Sequence, residues 1–215
     1  MAAINERKAS AIRKFFSLLT HSKGLTAGQP FAMEMWQDKF VTELLATEDE
    51  HGNRQYRQFF LAVPRKNGKS SVIAALGLFL LLADGQAKPE IICAAASREQ
   101  ARQIYTLATE FIESSPVLSS LCTVYRNEIR TKDGGILKTI AAEARTAHGM
   151  NPTAILIDEM HALQGREFFD VLQTSVGARP NPLLIMITTA GVDQTSICRD
   201  MWTYAEQVRD GVIED

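Results

Sequence analysis

Residues 63–71 read V-P-R-K-N-G-K-S-S, between an apolar run at 59–63 and a long helical pattern that begins at Ser70. Strand, tight loop, Gly-Lys-Ser and helix in that order are what a phosphate-binding P-loop requires, and they restrict the chain to folds that set a strand end against a helix N-terminus. In such a loop the backbone N–H groups point inward at a phosphate, Lys69 reaches the β and γ oxygens, and the Ser70 hydroxyl can ligate Mg²⁺. Pro64, Arg65, Lys66, Asn67, Gly68 and Ser71 complete the candidate nucleotide-binding loop. The usual pattern G-x-x-x-x-G-K-[ST] would place a first glycine where Val63 stands, so the competing reading is an ordinary strand-to-helix turn with Lys69 solvated. Three pieces downstream and upstream weigh against it, and the expected chemistry is nucleotide hydrolysis.

The pattern around the loop predicts an α/β fold. Helical periodicity at 4–20 ends in a polar Gly/Pro connector at 22–30, and a second helical stretch covers 31–46. A strand at 57–63, a helix at 70–83, a strand at 90–95 and a helix at 97–114 capped by Ser97 then alternate, which implies a parallel sheet with right-handed crossovers. Short β-prone pieces at 123–126, 128–131 and 136–140 predict antiparallel strands at the sheet edge. Buried strands at 154–157 and 183–188 and a helix at 194–208 complete the pattern. The expected division is an N-terminal helix and connector over 1–30 and a P-loop domain over 31–215.

Composition narrows the classes. The chain has 215 residues, 46% hydrophobic and 22% charged, enough for one substantial core. Its longest apolar run, at 72–83, falls short of the ~18 residues of a membrane span. Cys93, Cys122 and Cys198 are odd in number and far apart, so neither a disulfide framework nor a zinc spacing is available. A formal charge of −2 gives no global pull toward a polyanion, so any nucleic-acid binding must come from local basic patches or an assembled oligomer.

Three further motifs carry chemistry. In A-I-L-I-D-E at 154–159, an apolar strand delivers Asp158 and Glu159 to the carboxyl edge of a parallel sheet, where ligands bind. Asp158 would hold Mg²⁺, and Glu159 would orient and deprotonate the attacking water. T-T-A-G at 188–191 ends the following strand, and a hydroxyl there can bond the γ-phosphate or the water. Trp36 and Gln37 stand upstream of the loop: a glutamine amide offers both a donor and an acceptor to an adenine edge, and an aromatic neighbour can wall the base.

Together P-R-K-N-G-K-S, I-D-E-M-H and T-T-A-G, with A-S-R-E-Q-A-R at 96–102 and A-R-T-A-H-G-M-N-P at 144–152, resemble the ATPase domain of tailed-phage terminase large subunits, over about residues 31–192. In that family the P-loop departs from the usual pattern, with an arginine ahead of the lysine, as Val63 and Arg65 do here. The resemblance implies an ASCE, RecA-like P-loop NTPase fold with ATP and Mg²⁺ as its ligands. It implies Lys69 and Ser70 on phosphate and metal, Asp158 completing the metal site, Glu159 as catalytic carboxylate, Gln37 on adenine, and Thr188, Thr189 and Gly191 as the coupling motif. An arginine is needed on the γ-phosphoryl, where such a finger is worth ~10³–10⁵ in rate. Arg65 could act from its own subunit, and Arg98, Arg102 and Arg145 are the candidates to act on a neighbour. His161, in D-E-x-H, has a structural hydrogen bond or a switch as its two readings.

The resemblance also implies partners and place: double-stranded DNA, a portal, a small terminase subunit and a homo-oligomeric ring, acting in the host cytoplasm at the prohead. Arg126, Arg130, Lys132 and Lys138 are the candidate DNA contacts, interrupted by Glu128 and Asp133. No carboxylate cluster follows the coupling motif, so no nuclease activity is expected of this polypeptide. Two other classes stay open. A P-loop helicase or remodelling enzyme would separate strands, and a nucleotide-binding module would bind ATP without turnover.

Overall fold

The computed structural model describes residues 3–21, 26–142, 150–179, 181–189 and 195–214. Strand β1 (Ala3–Ile4) leads into α1 (Glu6–Phe16), and α2 (Met35–Ala46) runs directly into β2 (Thr47–Glu48), which pairs antiparallel with β1. The main sheet begins at β3 (Gln58–Ala62), followed by α3 (Lys69–Leu82), β4 (Glu90–Ala95), α4 (Arg98–Glu113) and the short α5 (Pro116–Leu121). Next come β5 (Cys122–Val124), β6 (Glu128–Thr131), β7 (Ile136–Ala141), β8 (Ala154–Ile157), α6 (Glu167–Ser175), β9 (Leu183–Thr188) and α7 (Ile197–Arg209).

Seven strands lie in the order β3-β9-β8-β4-β7-β6-β5. The pairs β3–β9, β9–β8, β8–β4 and β4–β7 are parallel, and β7–β6 and β6–β5 are antiparallel. This is the expected mostly parallel sheet with antiparallel edge strands, with one difference in detail. The piece read at 136–140 as an edge strand is interior: β7 runs parallel to β4 along its whole length, and Leu137 and Ala141 are buried, so only β5 and β6 form the antiparallel edge. A strand paired on both sides keeps both directions open, and its own residues do not say which neighbour lies parallel.

The period-two alternation of the strands divides the core. Ile91, Cys93, Leu156, Leu183 and Ile185 face one layer with α1, α2, α3 and α4, while Ile92, Ala94, Ile155, Ile157, Leu184 and Met186 face the other with α6 and α7. Helix α3 is apolar all round because it is covered all round, by the sheet below and by α1 and α4 beside it. It lies so close to the sheet that a Cβ at Gly77 would sit 3.2 Å from the Leu137 and Leu156 methyl carbons. Helix α1, capped by Asn5 accepting from the Lys8 N–H, puts Ile12, Phe15 and Phe16 into this same core. Among the described residues no helix is long and apolar enough to cross a membrane.

Candidate active site

The strand order sets the site. Because β9 lies beside β3 and β8 beside β9, the carboxyl ends of the loop-bearing strand, the threonine strand and the acid strand are consecutive neighbours. Ala62 is in register with Thr188, and the Val63 N–H donates to the Thr188 carbonyl (3.1 Å), so the entry to the loop and the end of β9 are directly joined.

The loop itself is held by its own atoms. The Asn67 side chain donates back to the Pro64 carbonyl (3.1 Å) and, more weakly, to the Arg65 carbonyl, so it braces the turn. Lys66 and Gly68 take positive φ, 68° and 70°, a region that glycine enters freely and lysine does not. Gly68 is constrained twice, since a Cβ there would also stand 3.2 Å from the Gln37 amide nitrogen. Gln37 is buried: its Oε1 accepts from the Glu34 N–H (2.9 Å), capping α2, and its Nε2 donates to the Asn67 carbonyl (3.4 Å). It therefore ties the start of α2 to the P-loop. Trp36 beside it is half-buried and outside the core.

On the acid strand, Asp158 is 2% exposed and its Oδ1 accepts from the Glu159 N–H (2.9 Å). Burial pushes its carboxyl above the usual range, against the pull of the Lys69 ammonium. Glu159 follows in a left-handed conformation, φ 50°, which turns its side chain off the strand line. One of its oxygens pairs with the Lys69 ammonium, a group only 7% exposed. The other meets His161 Nδ1 at 3.2 Å and the Thr189 hydroxyl at 3.5 Å. Since the Thr188 hydroxyl donates to the Thr189 carbonyl (2.7 Å), its oxygen is left to accept, and His161 Nδ1, at 3.1 Å, is assigned as the N–H donor shared with Glu159. The Cys198 thiol reaches the same hydroxyl oxygen at 3.6 Å.

Glu159 and His161 line a cleft of about 390 Å³ together with Arg65, Lys66, Gly68, Lys69, Ser70 and Ser71, whereas Asp158, Thr188 and Thr189 are buried and are not among its lining residues. Pro64, Asn67, Gln37 and Trp36 are not among its lining residues either. Arg98 and Arg102 line a different cleft. Arg145 and Gly191 lie outside the described residues. Two lining residues escaped the sequence reading, Gln100 and Gln103 of α4. The Gln100 side chain accepts from the Ser97 N–H (3.3 Å), a capping interaction legible as Ser-x-x-Gln, but nothing in the sequence says which flank of α4 faces the loop.

A sequence model of the family "Terminase large subunit, ATPase domain" matches residues 35–207. The large terminase subunit of Enterobacteria phage HK97 is 29% identical over 181 residues, which is 81% of this chain and 35% of that protein. The crystal structure of the HK97 large terminase superposes with a TM-score of 0.80 at 25% identity, covering 95% of this chain and 42% of that one. The large terminase of the thermophilic bacteriophage D6E, at 10% identity, shares the fold with a TM-score of 0.62 over 83% of this chain and 44% of its own. The chain thus spans about a third of the length of its curated relative. A match running from the helix that carries Gln37 to the helix after the threonine strand leaves no strand of the seven-stranded sheet outside it, and the chain accordingly belongs to the terminase large subunit ATPase domain family.

Proposed function

We propose that this domain hydrolyses ATP with Mg²⁺ in the cleft between the P-loop and β8, and that turnover drives double-stranded DNA into a prohead through a ring of such subunits on a portal, with a small terminase subunit presenting the DNA. The observation that carries the chemistry is the Lys69–Glu159 pair, the P-loop lysine and the candidate base meeting where γ-phosphate oxygens would enter. Arriving phosphates take over the Lys69 ammonium. Glu159 is thereby released to hold a water in line and accept its proton. The His161 N–H, shared between Glu159 and Thr188, carries the change in Glu159 to the end of β9, and the Val63–Thr188 bond returns it to the loop. Arg65 is exposed and, among the described residues, is the arginine that lines the cleft, so it is the candidate to act within the subunit.

Ser70 and Asp158 suit Mg²⁺: both offer hard oxygens, one of them anionic, and phosphate and water would supply the remaining ligands. Among the described residues no cluster of three or more His, Cys, Asp or Glu could hold a metal unaided. When bound, the ion would neutralise charge on the β and γ oxygens.

Asp158→Asn separates function from stability. A carboxyl whose folded pKa is raised stabilises the fold only while protonated; that contribution is complete below the ordinary carboxylate pKa and is lost as pH rises through the folded value. At neutral pH the ionised group is therefore a standing cost. Asparagine keeps the acceptor for the Glu159 N–H and removes the charge, so without nucleotide the variant melts about 2–4 °C higher near pH 7. The gain shrinks toward pH 4, and Mg²⁺-dependent turnover is lost. A lower Tm near pH 7 would contradict the assignment.

Gln37→Ala removes both the α2 cap and the tie to Asn67, so it costs about 1 kcal/mol of stability. It should also lower the preference for ATP over GTP in competition binding. If the preference is unchanged, the cap and the tie are the whole role of Gln37.

The function as a whole is tested by phosphate release from ATP and Mg²⁺ across protein concentrations, with Lys69→Ala as the control. A specific rate that rises with concentration places the essential arginine on a neighbour, and a flat rate places it on Arg65. Nucleotide binding with no release at any concentration would replace this proposal with the binding-module reading.

A further inference from the structure

Helix α4 starts from the carboxyl end of β4, beside the acid strand. The Asp158 N–H donates to the Ala94 carbonyl (3.0 Å), so the strand that leads into α4 and the strand that carries Glu159 are joined where both end. Helix α4 also packs against α3, in the same layer over the sheet. Its first turns are thereby held between the P-loop helix and the acid pair, with Ala101, Ile104 and Tyr105 turned into the core. Gln100 and Gln103, three positions apart on one flank of the helix, line the nucleotide cleft together with Ser70, Ser71, Glu159 and His161.

The two amides differ in what they have left to offer. Gln100 closes a capping box: its Oε1 accepts from the Ser97 N–H (3.3 Å), and its own N–H donates to the Ser97 hydroxyl (3.3 Å). The cap engages the side-chain oxygen, which leaves the N–H pair as the group Gln100 can give a ligand. Gln103 is exposed, and among the described residues its side chain makes no hydrogen bond, so both ends of its amide are available.

A water attacking the γ-phosphorus in line has to aim a lone pair at it. Glu159 accepts one hydrogen of that water as the base and leaves the molecule free to turn about the hydrogen bond. A second acceptor fixes the other hydrogen, and a donor beside it can meet a γ-phosphate oxygen. A neutral amide does both at once, whereas a carboxylate only accepts and an ammonium or guanidinium only donates. Glutamine amides orient the attacking water in this way in other nucleotide hydrolases. Among the described residues that line the cleft, the two serines and His161 also combine donor and acceptor. Ser70 and Ser71 belong to the first turn of the P-loop helix, on the Mg²⁺ side, and His161 Nδ1 is already shared with Glu159 and Thr188. Gln103 is the group that remains.

We propose that Gln103 is a catalytic residue of the hydrolysis: its carbonyl accepts from the water held by Glu159, and its N–H donates to a γ-phosphate oxygen. The inference rests on the ATPase reading of the cleft and adds to it the residue that aims the nucleophile. In the step itself the water oxygen bonds to the γ-phosphorus, and the bond to the β–γ bridging oxygen breaks with its electron pair left on ADP. The proton goes to Glu159, and Gln103 gains and loses none.

The test compares the parent, Gln103→Ala and Gln103→Glu in single-turnover hydrolysis of ATP with Mg²⁺, at a protein concentration where the parent turns over, and in equilibrium binding of ATP and of ADP. Alanine is at least as good a helix former as glutamine at an exposed position, so Gln103→Ala keeps its fold and its Tm. Without the second hold on the water its chemical step slows at least about 10-fold, while ADP affinity is unchanged. Gln103→Glu keeps an acceptor but brings a carboxylate to the third phosphate, so ATP affinity falls at least about fivefold more than ADP affinity. Hydrolysis by Gln103→Ala at the parent rate overturns the proposal. Equal losses of ATP and ADP affinity in Gln103→Glu overturn it as well, because the side chain is then away from the γ-phosphate. If the parent binds ATP and releases no phosphate, the ATPase reading fails and binding alone decides: a loss selective for ATP keeps Gln103 at the γ-phosphate, and an unselective one removes it.

Discussion

Glu159→Gln is expected to bind ATP more tightly than the parent and to turn it over at least about 10²-fold more slowly. Both effects come from the same pair of oxygens. One Glu159 carboxylate oxygen pairs with the ammonium of Lys69, a residue only 7% exposed, so incoming phosphate must compete with an anion beside it. Glutamine keeps the size of the side chain and can still accept from His161, but it has no charge to hold Lys69 and no basicity to take a proton from water. Lys69 then meets the phosphates without a competitor, while the water has no base. Equilibrium binding of a fluorescent ATP analogue and single-turnover hydrolysis read the two effects separately. Turnover within about tenfold of the parent would remove Glu159 from the role of base. Weakened ATP binding would instead show that the pair with Lys69 prepares the loop and does not compete with the ligand.

How far such a site is legible depends on whether its parts are local. The P-loop, the acid pair and the threonine pair each sit at a strand end, and short continuous apolar runs, buried on both faces in β8 and β9, mark strand ends along the chain. Their convergence follows from the strand order, which places β8 and β9 between β3 and β4. A parallel sheet with right-handed crossovers was an expectation, but the sequence could not select the strand beside each neighbour, and the direction of β7 was lost for the same reason. Gln37 shows a different limit. Its place ahead of the loop was legible, yet its amide proves to be engaged by Glu34 and Asn67, contacts that depend on how α2 docks behind Gly68. The arginines show a third. Arg126 was grouped with Arg130 and Lys138 because they are near in sequence, whereas pairing within the sheet neutralises those two and folding sets Arg126 across from Arg98 and Arg102. Neither helix periodicity nor charge spacing carries that information.

Arg54→Ala is expected to be the most damaging single substitution away from the cleft, costing about 3–5 kcal/mol, a large part of the roughly 5–15 kcal/mol that holds a typical domain together. Arg54 is 8% exposed at the opposite edge of the sheet. It pairs with Asp84, just past the end of α3, and its Nη1 donates to the Asn181 carbonyl (2.9 Å) ahead of β9. One buried cation therefore joins the lead-in to β3, the exit from the P-loop helix and the entry to the threonine strand. Alanine leaves the Asp84 carboxylate in the same place without a counter-charge, and its second oxygen already lacks a partner. Even beside Arg54, burial holds the Asp84 carboxyl above its ordinary pKa, so its contribution to stability is present below that ordinary value and is lost as pH rises. Removing Arg54 takes away the chief influence pulling that pKa down, and the dependence steepens. The gap between variant and parent, measured by urea denaturation, should be widest near neutrality and narrow in acid, where Asp84 is neutral in the variant and the parent is left with an unpaired buried Arg54. An apolar pair, Arg54→Met with Asp84→Leu, should recover most of the loss, because neither charge then has to leave water. Were the single variant as stable as the parent at neutral pH, the tie among the three segments would be redundant, and the stability of this edge would have to come from the apolar packing of α3 alone.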